Sequence, residues 1–208
     1  ARASAGAEAG LASLATTGGA ALVEASVEAA LAGASVSQLS RALSSGSEPL
    51  RISALPLRRN ALPYEALRDR SVRHREMTGS SPSAFLCNLG PIPKHKARST
   101  FATGFLNAGG IVALDNDGFA TKEAAVEAFV ASGAKVAVVC GSDDQYPEWV
   151  PSLVPLLRDK GAIEIILAGR PGEHEAAFRS AGVTTFISLG IDVVATLEGL
   201  LNRMGVAS

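Results

Sequence analysis

Cysteine is almost absent from this chain of 208 residues: Cys87 and Cys140 are the only two. Two thiols cannot build a disulfide framework, and their scarcity suits a reducing, cytoplasmic setting. Aromatic side chains make up only 5% of the sequence, and none occurs in residues 1–48. Neither sign of charge is in excess, the formal net charge being -1, so there is no electrostatic case for nucleic acid or a membrane surface as partner. No apolar run approaches the roughly 18 residues that a membrane span requires, and no secretory pattern is recognised. Neither G-x-G-x-x-G nor a Walker loop follows any candidate strand, which argues against a dinucleotide or P-loop nucleotide site. The chain opens on Ala1 rather than methionine, and a longer parent protein is expected.

What is present falls into regions of different texture. Residues 1–48 are rich in Ala, Gly and Ser, yet Leu22, Val23, Val27, Ala30 and Leu31 fall on one helical stripe that Val36, Leu39 and Leu43 continue after Gly33. The spacing predicts a helical hairpin, too poor in bulky side chains to fold alone. Residues 49–83 read as a basic linker punctuated by Pro49, Pro56, Pro63 and Pro82, with one helix from Tyr64 to about Met77 closed by Gly79. Its arginines, Arg58, Arg68 and Arg70 among them, are either a solvated face or a clamp on an acidic partner.

From residue 84 to residue 208 short apolar runs alternate with helical segments. Strands are predicted at 84–89, 110–114, 135–141, 163–169 and 184–190, with helices at 95–108, 121–132, 146–160, 172–181 and 191–204. Five such units predict an α/β fold: an open, flavodoxin-like parallel sheet of order 2-1-3-4-5. Its crevice would lie between the loops "GPIPKHKAR" (90–98) and "GSDDQYPEW" (141–149). The first holds His95. The second holds Asp143 and Asp144, either a metal pair lacking a third ligand or plain solvated acids. Cys87 and Cys140 sit on neighbouring strands, where their thiols could approach, although buried cysteines are usually small hydrophobes. "AGRPGE" places Arg170 between two glycines, a nest that capping by Glu173 and Glu175 explains without a ligand. His74 and His174 fall on predicted helix surfaces and mark no site.

The ordered segments "YEALRDRS" (64–71), "FLCNLGPIPKHKARSTFATGFLNAGGI" (85–111), "LDNDGF" (114–119), "AFVASGAKVAVVCGSDDQY" (128–146) and "LAGRPGE" (167–173) resemble the cobalamin-binding domain of the methylmalonyl-CoA mutase family, in particular its small subunit. The hairpin at 18–44 weakly resembles the helices that precede that domain. Active members carry D-x-H-x-x-G, whose His binds cobalt, whose Asp orients that His, and whose Gly lets the backbone approach the cofactor's nucleotide tail. Here Pro93 stands at the Asp position, His95 at the His and Arg98 at the Gly. "GSDD" and "AGRPG" likewise replace the small S-x-L and Gly-Gly segments of active members.

The resemblance therefore implies a non-catalytic small subunit with no catalytic residue, no metal and no cofactor of its own, His95 being left on the surface or at a helix start. It would pair as a heterodimer with a large catalytic subunit that holds adenosylcobalamin and interconverts methylmalonyl-CoA and succinyl-CoA. Arg58, Arg68 and Arg70 are the expected interface. The alternatives are a cobalamin carrier that uses His95 as cobalt ligand, and an unrelated flavodoxin-like binder of flavin or a nucleotide.

Overall fold

The computed structural model describes residues 5–44 and 59–207, and the chain divides into two compact units at Leu57/Arg58. Arg58 itself, one of the expected interface residues, lies outside the described residues.

The first unit holds three helices, α1 (Ala5–Leu14), α2 (Ala20–Leu31) and α3 (Val36–Leu43), rather than a two-helix hairpin. Ser35 starts α3 with a capping box: Gln38 N–H donates to the Ser35 hydroxyl while Ser35 N–H donates to Gln38 Oε1 at 2.8 Å. The packed face of α2 is not the expected stripe. Val23, Val27 and Leu31 are exposed, whereas Ala29 is buried. The reason is close approach: a Cβ added to Gly10 would stand 2.9 Å from that of Ala29. Small residues let α1 and α2 touch, and the branched side chains turn outward. α1, with its bare Ala/Gly composition, gave no periodic signal by which to be found.

In the second unit α4 (Leu62–Thr78) precedes a five-stranded sheet of β1 (Ser83–Asn88), β2 (Val112–Leu114), β3 (Val136–Cys140), β4 (Glu164–Ala168) and β5 (Thr185–Ile187). All neighbouring strands run parallel in the order β2-β1-β3-β4-β5, the topology read from the sequence. Between them lie α5 (Ile92–Ala108), α6 (Lys122–Ser132), α7 (Tyr146–Asp159) and α8 (Glu175–Ala181), and α9 (Val193–Arg203) follows β5. The expected helix 172–181 is split, because Gly172–His174 form a 3-10 turn before α8. β1, β3 and β4 are covered on both faces, which is why they read as unbroken apolar runs.

Side chains alternate across the sheet. Phe85, Cys87, Val139 and Leu167 pack with Phe129 of α6 and Leu153 of α7; Leu86, Val138, Cys140 and Ile166 pack with Leu106 of α5 and Leu200 of α9. The two cysteines therefore point to opposite faces. Strand register explains it, since Cys140 stands opposite Asn88 and Cys87 opposite Val139. Adjacent strands do not bring these thiols together, and burial pushes the Cys87 thiol up to about 12 and that of Cys140 well above its ordinary value.

The helix read as part of a linker is instead packed on this unit. Leu67 joins the α5/α9 core, and Ser71 donates to Gly109 O at 2.8 Å. Arg70, expected at an interface, is turned inward and 7% exposed. Its guanidinium donates to Ala207 O at 3.1 Å, Val206 O at 2.8 Å and the Asn202 side chain at 2.6 Å, tying α4 to the end of α9. A cation bound to three acceptors in a dry site is costly to remove. Arg70→Met is expected to lower unfolding free energy by about 2–4 kcal/mol. An unchanged urea midpoint would contradict this role.

Candidate functional site

The carboxyl ends of β1, β3 and β4 carry the residues singled out by sequence. Helix α5 begins at Ile92, three residues before the predicted start, because Pro91 and Pro93 suit a helix entrance where no N–H partner is needed. That shift draws His95 into the first turn and under the neighbouring loop. It is 1% exposed, not a surface residue, and its Nδ1 is buried without a hydrogen-bond partner.

The cover over His95 comes from the loop after β2, a segment with no titratable signature of its own beyond Asp115 and Asp117. Gly118 has φ +99°, and a Cβ there would run into Gly90 O and stand 2.5 Å from His95 Cε1. The loop is stitched to the end of β1. Asn88 Nδ2 donates to Asp115 Oδ1 at 2.8 Å and to Asn116 O at 2.9 Å, while Asn116 Nδ2 donates to Leu86 O at 2.7 Å. Gly90 N–H donates to Phe119 O at 2.8 Å, and Phe119 N–H to Asn88 O at 2.9 Å. "DNDG" is a strong turn signal, and that was the one available hint. Ile92, His95, Lys96, Asp115, Asn116 and Asp117 line a cavity of about 330 Å³ here.

Partial burial would raise the Asp115 carboxyl, but hydrogen bonds from Asn88 and the Asn116 backbone, with the Lys96 charge, hold it below its ordinary value. A depressed carboxylate lends stability above its unfolded pKa and loses it as pH falls through the folded value. The seam between these loops is therefore expected to weaken as pH falls through the folded Asp115 value, a loss that urea unfolding at neutral and acid pH would read.

Asp143 and Asp144, entertained as a metal pair, are each matched to a cation of α5. Arg98 reaches Asp143 at 2.8 Å and Lys94 reaches Asp144 at 3.1 Å, while Lys96 lies 3.6 Å from Asp115. Among the described residues no group of three or more His, Cys, Asp or Glu is arranged to hold a metal ion. Behind these pairs Tyr146 bridges two strand ends, donating to Ala168 O at 2.8 Å and accepting from Gly141 N–H at 3.0 Å. Arg98 lies along the same edge, its guanidinium carbon 3.5 Å from where a Gly169 Cβ would be. Among the described residues Arg170 reaches only Leu189 O, at 3.5 Å. His174 and Phe178 stack loosely, with ring centroids 5.7 Å apart, and His74 lies on α4.

The expected interface residues are thus separated. Arg70 is internal, whereas Arg68 is exposed on α4, its Nε donating to Ala108 O at 3.2 Å. Arg68, Ser71, Val72, Arg75, Ser81 and Gly110 line a shallow cleft of about 200 Å³.

No family model matches the chain. It is similar to the methylmalonyl-CoA mutase small subunit of Streptomyces virginiae, at 42% identity over 153 residues, covering 74% of this chain and 24% of the relative. The probable methylmalonyl-CoA mutase small subunit of Mycobacterium tuberculosis is 38% identical over 151 residues, covering 72% of this chain and 24% of its own. The corresponding small subunit of Porphyromonas gingivalis is 31% identical over 159 residues, 76% of this chain and 24% of that one. The chain spans about a quarter of the length of these curated relatives.

Proposed function

The chain belongs to the methylmalonyl-CoA mutase small-subunit family, and from that premise we propose that it is a corrin-free, non-catalytic part of an adenosylcobalamin-dependent mutase. Its role is to support a large subunit that holds the cofactor and interconverts methylmalonyl-CoA and succinyl-CoA. The observation that carries this reading is the state of the crevice. Arg98 lies against Gly169 and is paired to Asp143, so a long cation occupies the edge where a cofactor tail would need backbone contact.

The residues do not fit a cobalt ligand either. Such a His is oriented by a carboxylate on its other nitrogen, and the position that would supply one is Pro93. His95 is instead walled in by Gly118. One observation favours the second reading, a carrier using His95: the unpartnered Nδ1. Titration with hydroxocobalamin separates the two. The expected result is an unchanged corrin spectrum and no co-elution. A spectral shift that disappears in His95→Ala would overturn the proposal and establish the carrier.

The supporting role has its own test at α4. With Arg70 internal, Arg68 is the described member of the expected interface that is exposed to an acidic partner. The pair R58E/R68E is expected to weaken co-purification with the large subunit about tenfold at low salt, a deficit that narrows as salt is added. Assembly unaltered at every salt concentration would remove these arginines from the interface.

A further inference from the structure

On the α5/α9 side of the sheet unit a groove of about 530 Å³ runs between the start of α4, the outer face of α5 and the β5–α9 loop. Its floor is Phe101 and Phe105, ring centroids 6.3 Å apart, and its far wall is Ile191 and Val193. A second cavity of about 340 Å³ shares Phe101, Ser188 and Leu189 with the first and ends at Arg98. The two are one trough, graded from aromatic to cationic. Leu189 stands on its rim, 79% exposed, where a side chain of that size normally finds cover.

The cationic end is lined by Arg98, and Arg170 approaches it through Leu189 O. Arg98 is paired with Asp143. Arg170 follows Gly169, on which Arg98 lies, and among the described residues it is matched with no carboxylate; its recorded bond is to Leu189 O at 3.5 Å. One positive charge is therefore uncompensated at the mouth of an apolar trough whose size falls in the ordinary range for small-molecule sites.

We propose that this trough binds an amphipathic carboxylate, with an alkyl chain on the Phe101/Phe105 floor and the anionic head between Arg98 and Arg170. The charge imbalance selects a monoanion, and the length of apolar wall selects a medium alkyl chain over a short acid. The apolar part of this site lies apart from the crevice around His95, the two meeting at Arg98, and its occupancy does not depend on the supporting-subunit reading.

Calorimetric titration of the full chain with decanoate tests the proposal, with decanol and butyrate as comparisons. Decanoate is expected to bind once per chain, decanol about tenfold more weakly for want of the charged bond, and butyrate not measurably. Gly104 provides the blocking variant: a Cβ there meets nothing within 4 Å, so Gly104→Leu fills the trough while favouring the helix. It is expected to abolish binding with the circular dichroism spectrum unchanged. R98M/R170M is expected to weaken decanoate at least about tenfold while leaving decanol unaffected. Absence of decanoate binding, decanol binding equally tightly, or several equivalents indifferent to both variants would overturn the proposal. So would protection of the trough by a co-purifying mutase chain that decanoate does not displace, which would assign it to a protein partner.

Discussion

Gly118→Ala is expected to destabilise the sheet unit by about 3–5 kcal/mol, the sum of a left-handed backbone strain and an overlap that neither neighbour can relieve. The strain alone is common to several glycines. Gly133, at the end of α6, has φ +68° and nothing within 4 Å of an added Cβ, so Gly133→Ala is expected to cost only about 1 kcal/mol. The difference between the two variants isolates the contact with Gly90 O and the His95 ring. Urea unfolding of both measures it, and equal costs would mean that the loop does not seal that ring. In Gly118→Ala the loop must lift, and His95 is expected to become reactive to an imidazole-directed reagent that leaves it untouched in the parent chain.

The second large effect is at the opposite end of the strands. Glu164 opens β4 with its side chain only 2% exposed, held by Arg203 of α9 at 2.9 Å and by the Thr185 hydroxyl at 2.9 Å. Removing a partner from a buried carboxylate leaves charge without compensation, a loss of about 3–5 kcal/mol in a dry site. Arg203 is half exposed, so water can enter where it stood, and Arg203→Met is expected to cost about 2–3 kcal/mol. Adding Glu164→Gln should return a large part of that loss, because a neutral amide does not need the cation. If the double variant were as unstable as Arg203→Met alone, the penalty would lie in lost packing of the arginine stem instead.

The sheet was legible because β1, β3 and β4 are continuous apolar runs separated by helical lengths, and such runs have few other homes. The helix starts at Ile92 rather than at 95 because Pro91 and Pro93 suit a first turn, and these prolines mark the boundary. Burial of His95 could not be read locally, since its cover arrives from the loop after the next strand. Arg70 looked like its neighbours in a basic stretch, and what distinguishes it is a set of acceptors near the C-terminal end of the described chain. Cys87 and Cys140 illustrate a finer limit: knowing that two strands are adjacent says nothing of facing until the register is known. In the first unit the branched residues carried the periodic signal, but small residues made the contact.

That opposed placement of the two thiols has a use. Each lies beneath a different helical layer, Cys87 under α6 and α7, Cys140 under α5 and α9, and neither is reactive while its layer is seated. Alkylation rates in single-cysteine versions of the chain would thus time the departure of each layer separately. The molecule carries its own pair of clocks for asking whether its two halves open as one or in sequence.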